Sequence, residues 1–551
     1  DYKKDTLIYA GNVTNKHLLT FDWNKPFQFN GEKLNLSDVK FYLDNTAKDS
    51  IFNLTKTFRK SNVKSENTLG EATPEDNRPK LDFIRLGQLD LSNVSFRLRD
   101  HYNYQTISFQ IEHLDLDAKK WRFSDSIWQL GSLQIQKPMV SIIQHPSPYT
   151  PKSYKPEYLN LPFQLHLDQL KLEHAQLRIF NEEVESIPKD QLSFSDLDVR
   201  NIFLDAASVE LRKGSIAGTV THMRAIEKSG LGITDLRTQF FMNSYKTEAK
   251  NLLFKTNNSK IKGYLWFNYN NMREYLRFAA WVKVTGDVSE SNLSLKDLAY
   301  FSPNLKNWSH LDVKFNTIAR GTMNELMLNN LYASLNDNSI KVGGQMKVLD
   351  LFSGKGLNTI AQLNRLSFEK KDIEFIFQKK ELPAEIDRLG RMTYNGEFKG
   401  NPTKFTLNGK LLTSHGTGIL KEMQFDFNNP NLPKYKGGIQ VQNLKLNDII
   451  AGGSPIDALT ALVYIDGEGF NVQNLNSYIK GDIAHVHING TEYRQFKVDG
   501  KLTEKIFNGD IKSLDPSLSF HANGKVSINK ATPKLELQVD LENVDLQKLG
   551  L

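Results

Sequence analysis

Ile439-Gln-Val441 runs into Asn443-Leu-Lys-Leu-Asn-Asp-Ile449, and this phrase decides the reading of the chain. A short alternating strand is followed by Asn, then two apolar residues two apart, then a polar–apolar pair. Trp281-Val-Lys-Val284 followed by Asn292-Leu-Ser-Leu-Lys-Asp-Leu298 is a second copy. Leu535-Glu-Leu-Gln-Val539 followed by Asn543-Val-Asp-Leu-Gln-Lys-Leu549 is a third. A unit that recurs along a strand-rich chain marks one element stacked on itself, not a set of independent enzymes.

Period-2 alternation extends the pattern outward. It is present in Phe163-Gln-Leu-His-Leu167, Leu311-Asp-Val-Lys-Phe315, Phe405-Thr-Leu407, Leu518-Ser-Phe520 and Lys525-Val-Ser-Ile528. Alternation puts apolar side chains on one face of a pleated sheet and polar ones on the other. Asn395-Gly396, Asn408-Gly409, Asn489-Gly490, Asp499-Gly500 and Asn508-Gly509 read as tight hairpin turns, because those pairs supply positive φ. The expected fold is therefore all-β: a long, repetitive, mostly antiparallel sheet with few short helices. Helices are expected at Leu295–Phe301, stopped by Pro303, at Pro383–Leu389, at Thr46–Arg59 and around Thr221–Lys228. A polar stretch from Ser61 to Lys80 reads as a linker, and His145-Pro-Ser-Pro-Tyr-Thr-Pro151 as a second break. After that break Gln169–Ile179 resembles Gln88–Leu98. The expected organisation is residues 1–60, a polar loop 61–80, repeats over 81–290 and repeats over 291–551.

Composition narrows the function classes. The 551 residues carry 70 basic and 63 acidic groups, a net charge of +7. No block of five or six like charges forms a nucleic-acid arm. The absence of cysteine removes disulfide scaffolds, thiolate metal sites and Cys nucleophiles, and is compatible with an oxidising compartment. Mean hydropathy is -0.46, and no run is long and apolar enough for a spanning helix. The abrupt ends read as a piece of a longer protein.

Several motifs invite chemistry and do not carry it. Val348-Leu-Asp-Leu-Phe-Ser-Gly-Lys-Gly-Leu357 has the glycine turn of a methyltransferase cofactor loop, but Asn358–Leu363 reads as a strand where a helix is required. His485 and His487 share one strand face, a spacing some zinc sites use. No third ligand is identifiable, and a solvated polar face with Ala484, Val486 and Ile488 buried opposite is the expected arrangement. Neither a phosphate loop nor a nucleophile elbow is present. No cofactor, metal or catalytic residue is assigned. The 33 phenylalanines read as sheet packing or as an apolar face open to a ligand.

From Asn292 onward the chain resembles the AsmA-like superfamily, in particular TamB-like proteins of the Bacteroidota. The resemblance is carried by Leu293-Ser-Leu-Lys-Asp-Leu-Ala-Tyr-Phe-Ser-Pro303, Gly321-Thr-Met-Asn-Glu-Leu326, Leu382-Pro-Ala-Glu-Ile-Asp-Arg-Leu-Gly390, Leu407-Asn-Gly-Lys-Leu-Leu-Thr413 and Tyr435-Lys-Gly-Gly438. Asp5-Thr-Leu-Ile-Tyr-Ala-Gly11 is similar to the start of the family's periplasmic region. The resemblance implies a U-shaped sheet, the β-taco, with an apolar groove. It implies a periplasmic protein anchored in the inner membrane and reaching the outer membrane. It also implies a role in moving phospholipids between the membranes, with a BamA-related (TamA-like) outer-membrane partner contacted through regions outside this sequence. On this reading the protein is not an enzyme. The expected groove lining is Phe405, Leu407, Ile439, Val441, Leu518, Phe520, Val526, Ile528, Leu535, Leu537 and Val539. The competing expectation is a scaffold for outer-membrane protein assembly, offering a sheet edge to an incoming strand.

Overall fold

In a computed structural model, residues 8–9, 12–15, 28–44, 83–101, 104–122, 127–146, 164–183, 188–212, 214–352, 357–378, 382, 384–429, 431–450, 456–470, 474–488, 490–504, 506–527 and 535–547 are described. Thr46–Arg59, the 61–80 linker and Ile528 lie outside them. The all-β class holds: the described residues form 29 strands and a few short helical segments. No described helix is long and apolar enough to cross a membrane. The chain divides into two compact units, Asp1–Lys306 and Asn307–Leu551.

In the second unit every recorded strand pairing is antiparallel between sequence neighbours, from Asp312–Thr322 to Leu535–Val544. The first unit departs from hairpin-only order. The strands Gln28–Ser37 and Lys40–Asp44 both run parallel to Phe83–Asp100, with Asp38 at φ 56 between them. Ile127–Gln136 and Met139–Gln144 run parallel to Gln164–Asn181 in the same way, with Lys137 at φ 48 between them. The similarity between Gln88–Leu98 and Gln169–Ile179 thus has a structural meaning, since each segment lies in the strand that receives a broken parallel neighbour. A hairpin cannot join parallel strands, so each of these pairs needs a long connection. The 61–80 linker and the break at 145–151 fall in those two connections.

Most Asn-Gly and Asp-Gly pairs are not turns. Gly396 and Gly409 sit mid-strand and face each other across the ladder. Gly500 pairs with Gly509, and Gly509 with Gly524. A Cβ on Gly396 would lie 2.2 Å from the Asn408 carbonyl oxygen, and one on Gly409 would lie 2.3 Å from that of Asn395. The glycines therefore permit a close backbone approach, not a chain reversal. Only Gly490 lies between strands, after Ile488 and before Thr491.

Helix expectations fared unevenly. Leu295–Leu298 and Ala384–Arg388 are helical. Pro303 opens the 3-10 helix Pro303–Trp308 instead of stopping one, as a residue without an N–H suits a first turn. The segment around Thr221 is a strand, Ser215–Glu227, paired on both sides; tertiary pairing overrides its local preference.

The repeated phrase now has a mechanical reading. Asn443 adopts φ 49 at a register shift, a β-bulge that asparagine tolerates better than most residues. In the first two copies the acid five places on, Asp297 or Asp448, reaches back to an earlier hairpin turn; the third copy has Lys548 there. Asp297 is buried and accepts hydrogen bonds from Thr256 Oγ1, from Asn258 Nδ2 at 2.8 Å and from Ser259 Oγ at 2.5 Å. Asp448 stands 3.3 Å from His415 Nδ1. A third clamp lies outside the phrase, at Asp372 of the helix Lys370–Phe377. It accepts from Asn336 Nδ2 at 2.8 Å, Ser339 Oγ at 2.5 Å and the Glu369 N–H at 2.8 Å.

Candidate functional site

Following the register through the second unit shows one apolar face passed from strand to strand. Leu328 pairs with Met346, Met346 with Ala361, Ala361 with Phe398, Phe398 with Leu407 and Leu407 with Met423. Leu420 continues it to Ile439, Val463, Gly481, Val498, Ile511, Ala522 and Val539. Register shifts do not break the run, because each bulge restores the same face on its far side.

The expected lining residues can be placed on this map. Phe405, Leu407, Ile439, Val441, Leu518, Phe520 and Val526 all lie on the apolar face and are half-buried. Leu535, Leu537 and Val539 share it through Val526, Gly524 and Ala522, and are 65%, 37% and 44% exposed. Buried residues punctuate the same face, among them Tyr394, Met423 and Tyr435 in one cluster and Val486, Tyr493 and Phe496 in another. The two faces of a closed sandwich would bury nearly all such residues against each other. Here buried patches alternate with half-open apolar surface.

The opposite face is largely polar and closely ion-paired, with Ile360, Leu412, Leu462 and Leu514 exposed among the charges. A concavity of about 990 Å³ there is lined by Lys399, Lys404, Lys436, Asp466, Tyr478 and Lys501, among others. Lys436 reaches Asp466 at 2.9 Å and Lys404 reaches Asp426 at 3.4 Å. His485 is on this face with Nδ1 2.8 Å from Glu492. Arg494 first, and then His485, hold the Glu492 carboxyl down at about 2. Val486 is buried behind the histidines as expected, but Ala484 is exposed because the register shifts beside it. In the first unit Asp90, His113 and Asp115 bring possible ligand atoms within 4.8 Å of one another. The Lys33 ammonium lies 3.3 Å from Asp90, which makes this an ion-pair group as it stands.

What the sequence reading missed is a cover. It expected a few short helices but placed none of them over the apolar side. In the second unit the helix Lys370–Phe377 leaves the rim where Phe368 pairs with Met392. Phe427 is at the other rim, one residue past the Lys404–Asp426 pair, with its N–H 2.7 Å from the Thr403 carbonyl. The rings of Phe377 and Phe427 nevertheless lie 5.5 Å apart. Phe427 in turn lies 5.9 Å from Phe405, which places this meeting point over the apolar face. The first unit repeats the device. Phe194, beyond the rim where Phe180 pairs with Asp196, meets Phe278, beyond the rim where Asn268 pairs with Lys283, at 5.5 Å. Each unit thus has a strap from rim to rim. The one sequence sign was an aromatic in a connection with no strand partner.

No protein-family profile, curated protein or solved structure matches this chain.

Proposed function

We propose that the chain is a non-enzymatic, periplasmic lipid conductor that carries phospholipids between inner and outer membranes along its apolar face. The observation that supports this reading is the unbroken apolar register of the second unit with its half-exposed lining. An acyl chain gains about 0.8 kcal/mol for each CH₂ moved from water onto such a surface, so lipid is held without a specific pocket. Binding that is similar all along the face suits transfer, because no deep site traps the cargo. Headgroups stay in water at the strand rims. The TamB-like phrases in the sequence point to the same cargo and setting, with a BamA-related partner contacted elsewhere.

The test is native mass spectrometry of the purified 551-residue chain with lipid extraction. Several phospholipids bound per chain are expected. Val441→Asp with Val539→Asp is expected to reduce the number bound while the circular dichroism spectrum stays that of a β protein. A wild type that takes up no phospholipid from vesicles would remove the conductor reading and favour a scaffold that binds unfolded outer-membrane strands instead.

A further inference from the structure

The strap of the second unit is fastened unequally at its two ends. Its first turn is bolted down: Asp372 is fully buried and bonded to the 336–339 turn, and Glu369 pairs with Arg391. Arg391 also donates to the Ser339 carbonyl at 3.2 Å. The last turn rests on rings. Phe377 packs on Trp308 at 5.7 Å and on Phe427 at 5.5 Å, and Phe375 on His310 at 5.4 Å. Among the described residues its polar ties beyond the helix are to His310, whose Nε2 lies 3.0 Å from the Phe375 carbonyl and whose Nδ1 lies 2.6 Å from Gln378 Nε2.

A ring pair at that separation is in van der Waals contact and leaves no gap for a hydrocarbon chain. Behind it, Phe405, Phe425 and Phe470 continue the aromatic wall from Phe427 onto the face itself. We infer that the helix Lys370–Phe377 is a gate across the apolar face, hinged at Asp372 and closed where Phe377 meets Phe427. This rests on the lipid-conducting reading above and adds to it. Cargo passes this point only when the last turn lifts, so flexible single acyl chains pass and rigid or bulky ligands do not. Apolar closure suits a gate of this kind, because ring contacts separate without leaving a buried charge or an unpaired hydrogen bond, whereas the Asp372 bolt does not.

The chain has no cysteine, so Phe377→Cys with Phe427→Cys introduces the only thiols. A short, reducible bis-thiol cross-linker then fixes the gate shut. Two quantities are read on the full chain: phospholipids bound per chain by native mass spectrometry, and transfer of a fluorescent phospholipid between phosphatidylethanolamine–phosphatidylglycerol vesicles. The expected result is transfer at least tenfold slower in the cross-linked chain, restored by reductant, with lipid still bound. Phe377→Ala with Phe427→Ala is expected to speed transfer. Equal transfer in cross-linked and reduced chains overturns the gate and leaves the helix a fixed strap. A chain that binds no lipid before any cross-linking overturns the conductor reading itself, and the gate with it.

Discussion

Replacing Asp372 by alanine removes the bolt of the strap and nothing else in its path. The carboxylate accepts three hydrogen bonds, from the Asn336 amide, the Ser339 hydroxyl and the Glu369 N–H. Bonds to a charged acceptor contribute about 1.5–3 kcal/mol each, so three at the low end amount to about 4–5 kcal/mol. Asn336, Ser339 and Glu369 are only half-buried, and water replaces part of what they lose. A net cost of about 3 kcal/mol is expected, a roughly 100-fold shift in the equilibrium between seated and lifted helix. The assay is hydrogen exchange, residue by residue. Amides from Ile373 to Phe377 are expected to lose about 100-fold in protection, while those of the strand Lys404–Thr413 change by less than about threefold, since local and global opening are separate events. Asp372→Asn is expected to fall between, because its Oδ1 keeps Asn336 and Ser339 while its NH₂ meets the Glu369 N–H. The reasoning is refuted if helix protection survives the alanine change, or if strand protection falls in step with it.

Further outcomes follow from the close glycine pair, the buried tyrosine and the polar face. Gly409→Ala drives a Cβ to 2.3 Å from the Asn395 carbonyl and is expected to cost about 3 kcal/mol or more, read as a lower urea midpoint. Gly214→Ala, where nothing lies within 4 Å, is expected to cost only the backbone penalty of about 1 kcal/mol. Tyr394 donates to the Glu397 carbonyl at 2.6 Å, and burial pushes its phenol from 10.0 up to about 12. Its folded value is raised, so its contribution is complete below pH 10 and lost as pH rises toward about 12; Tyr394→Phe should remove that alkaline slope from a melting-temperature profile. Glu492 has its folded value lowered from 4.5 to about 2, so its contribution is present above pH 4.5 and lost as pH falls toward about 2. Because the group is fully exposed the effect is small and salt-sensitive, and Glu492→Gln should flatten that acid limb at low ionic strength.

The alternation of Phe405-Thr-Leu407, Ile439-Gln-Val441 and Leu535-Glu-Leu-Gln-Val539 was enough to assign strands and to put those apolar residues on one face. A period of two is a property of the extended backbone itself, so it is written locally. The repeated Asn phrase was visible too, although its bulge and its clamping acid were not. Non-local facts stayed hidden. Whether Asn408-Gly409 turns the chain or lies mid-strand depends on which backbone lies opposite, and here that is Gly396. Whether Thr221 is helical or extended was settled by strands on both sides of it. Parallel pairing in the first unit joins strands separated by long connections, so it is not written in the alternation of either strand. The straps were the least legible of all. Phe377 and Phe427 are far apart in sequence, belong to opposite rims, and meet only because the intervening strands bring those rims to the same stretch of apolar face. Sequence alone determined the strands and the sidedness of the sheet, since each residue's direction follows from its neighbours. Tertiary structure decided where backbones approach most closely and where that face is bolted and crossed, because those features depend on distances between residues that the chain order does not relate.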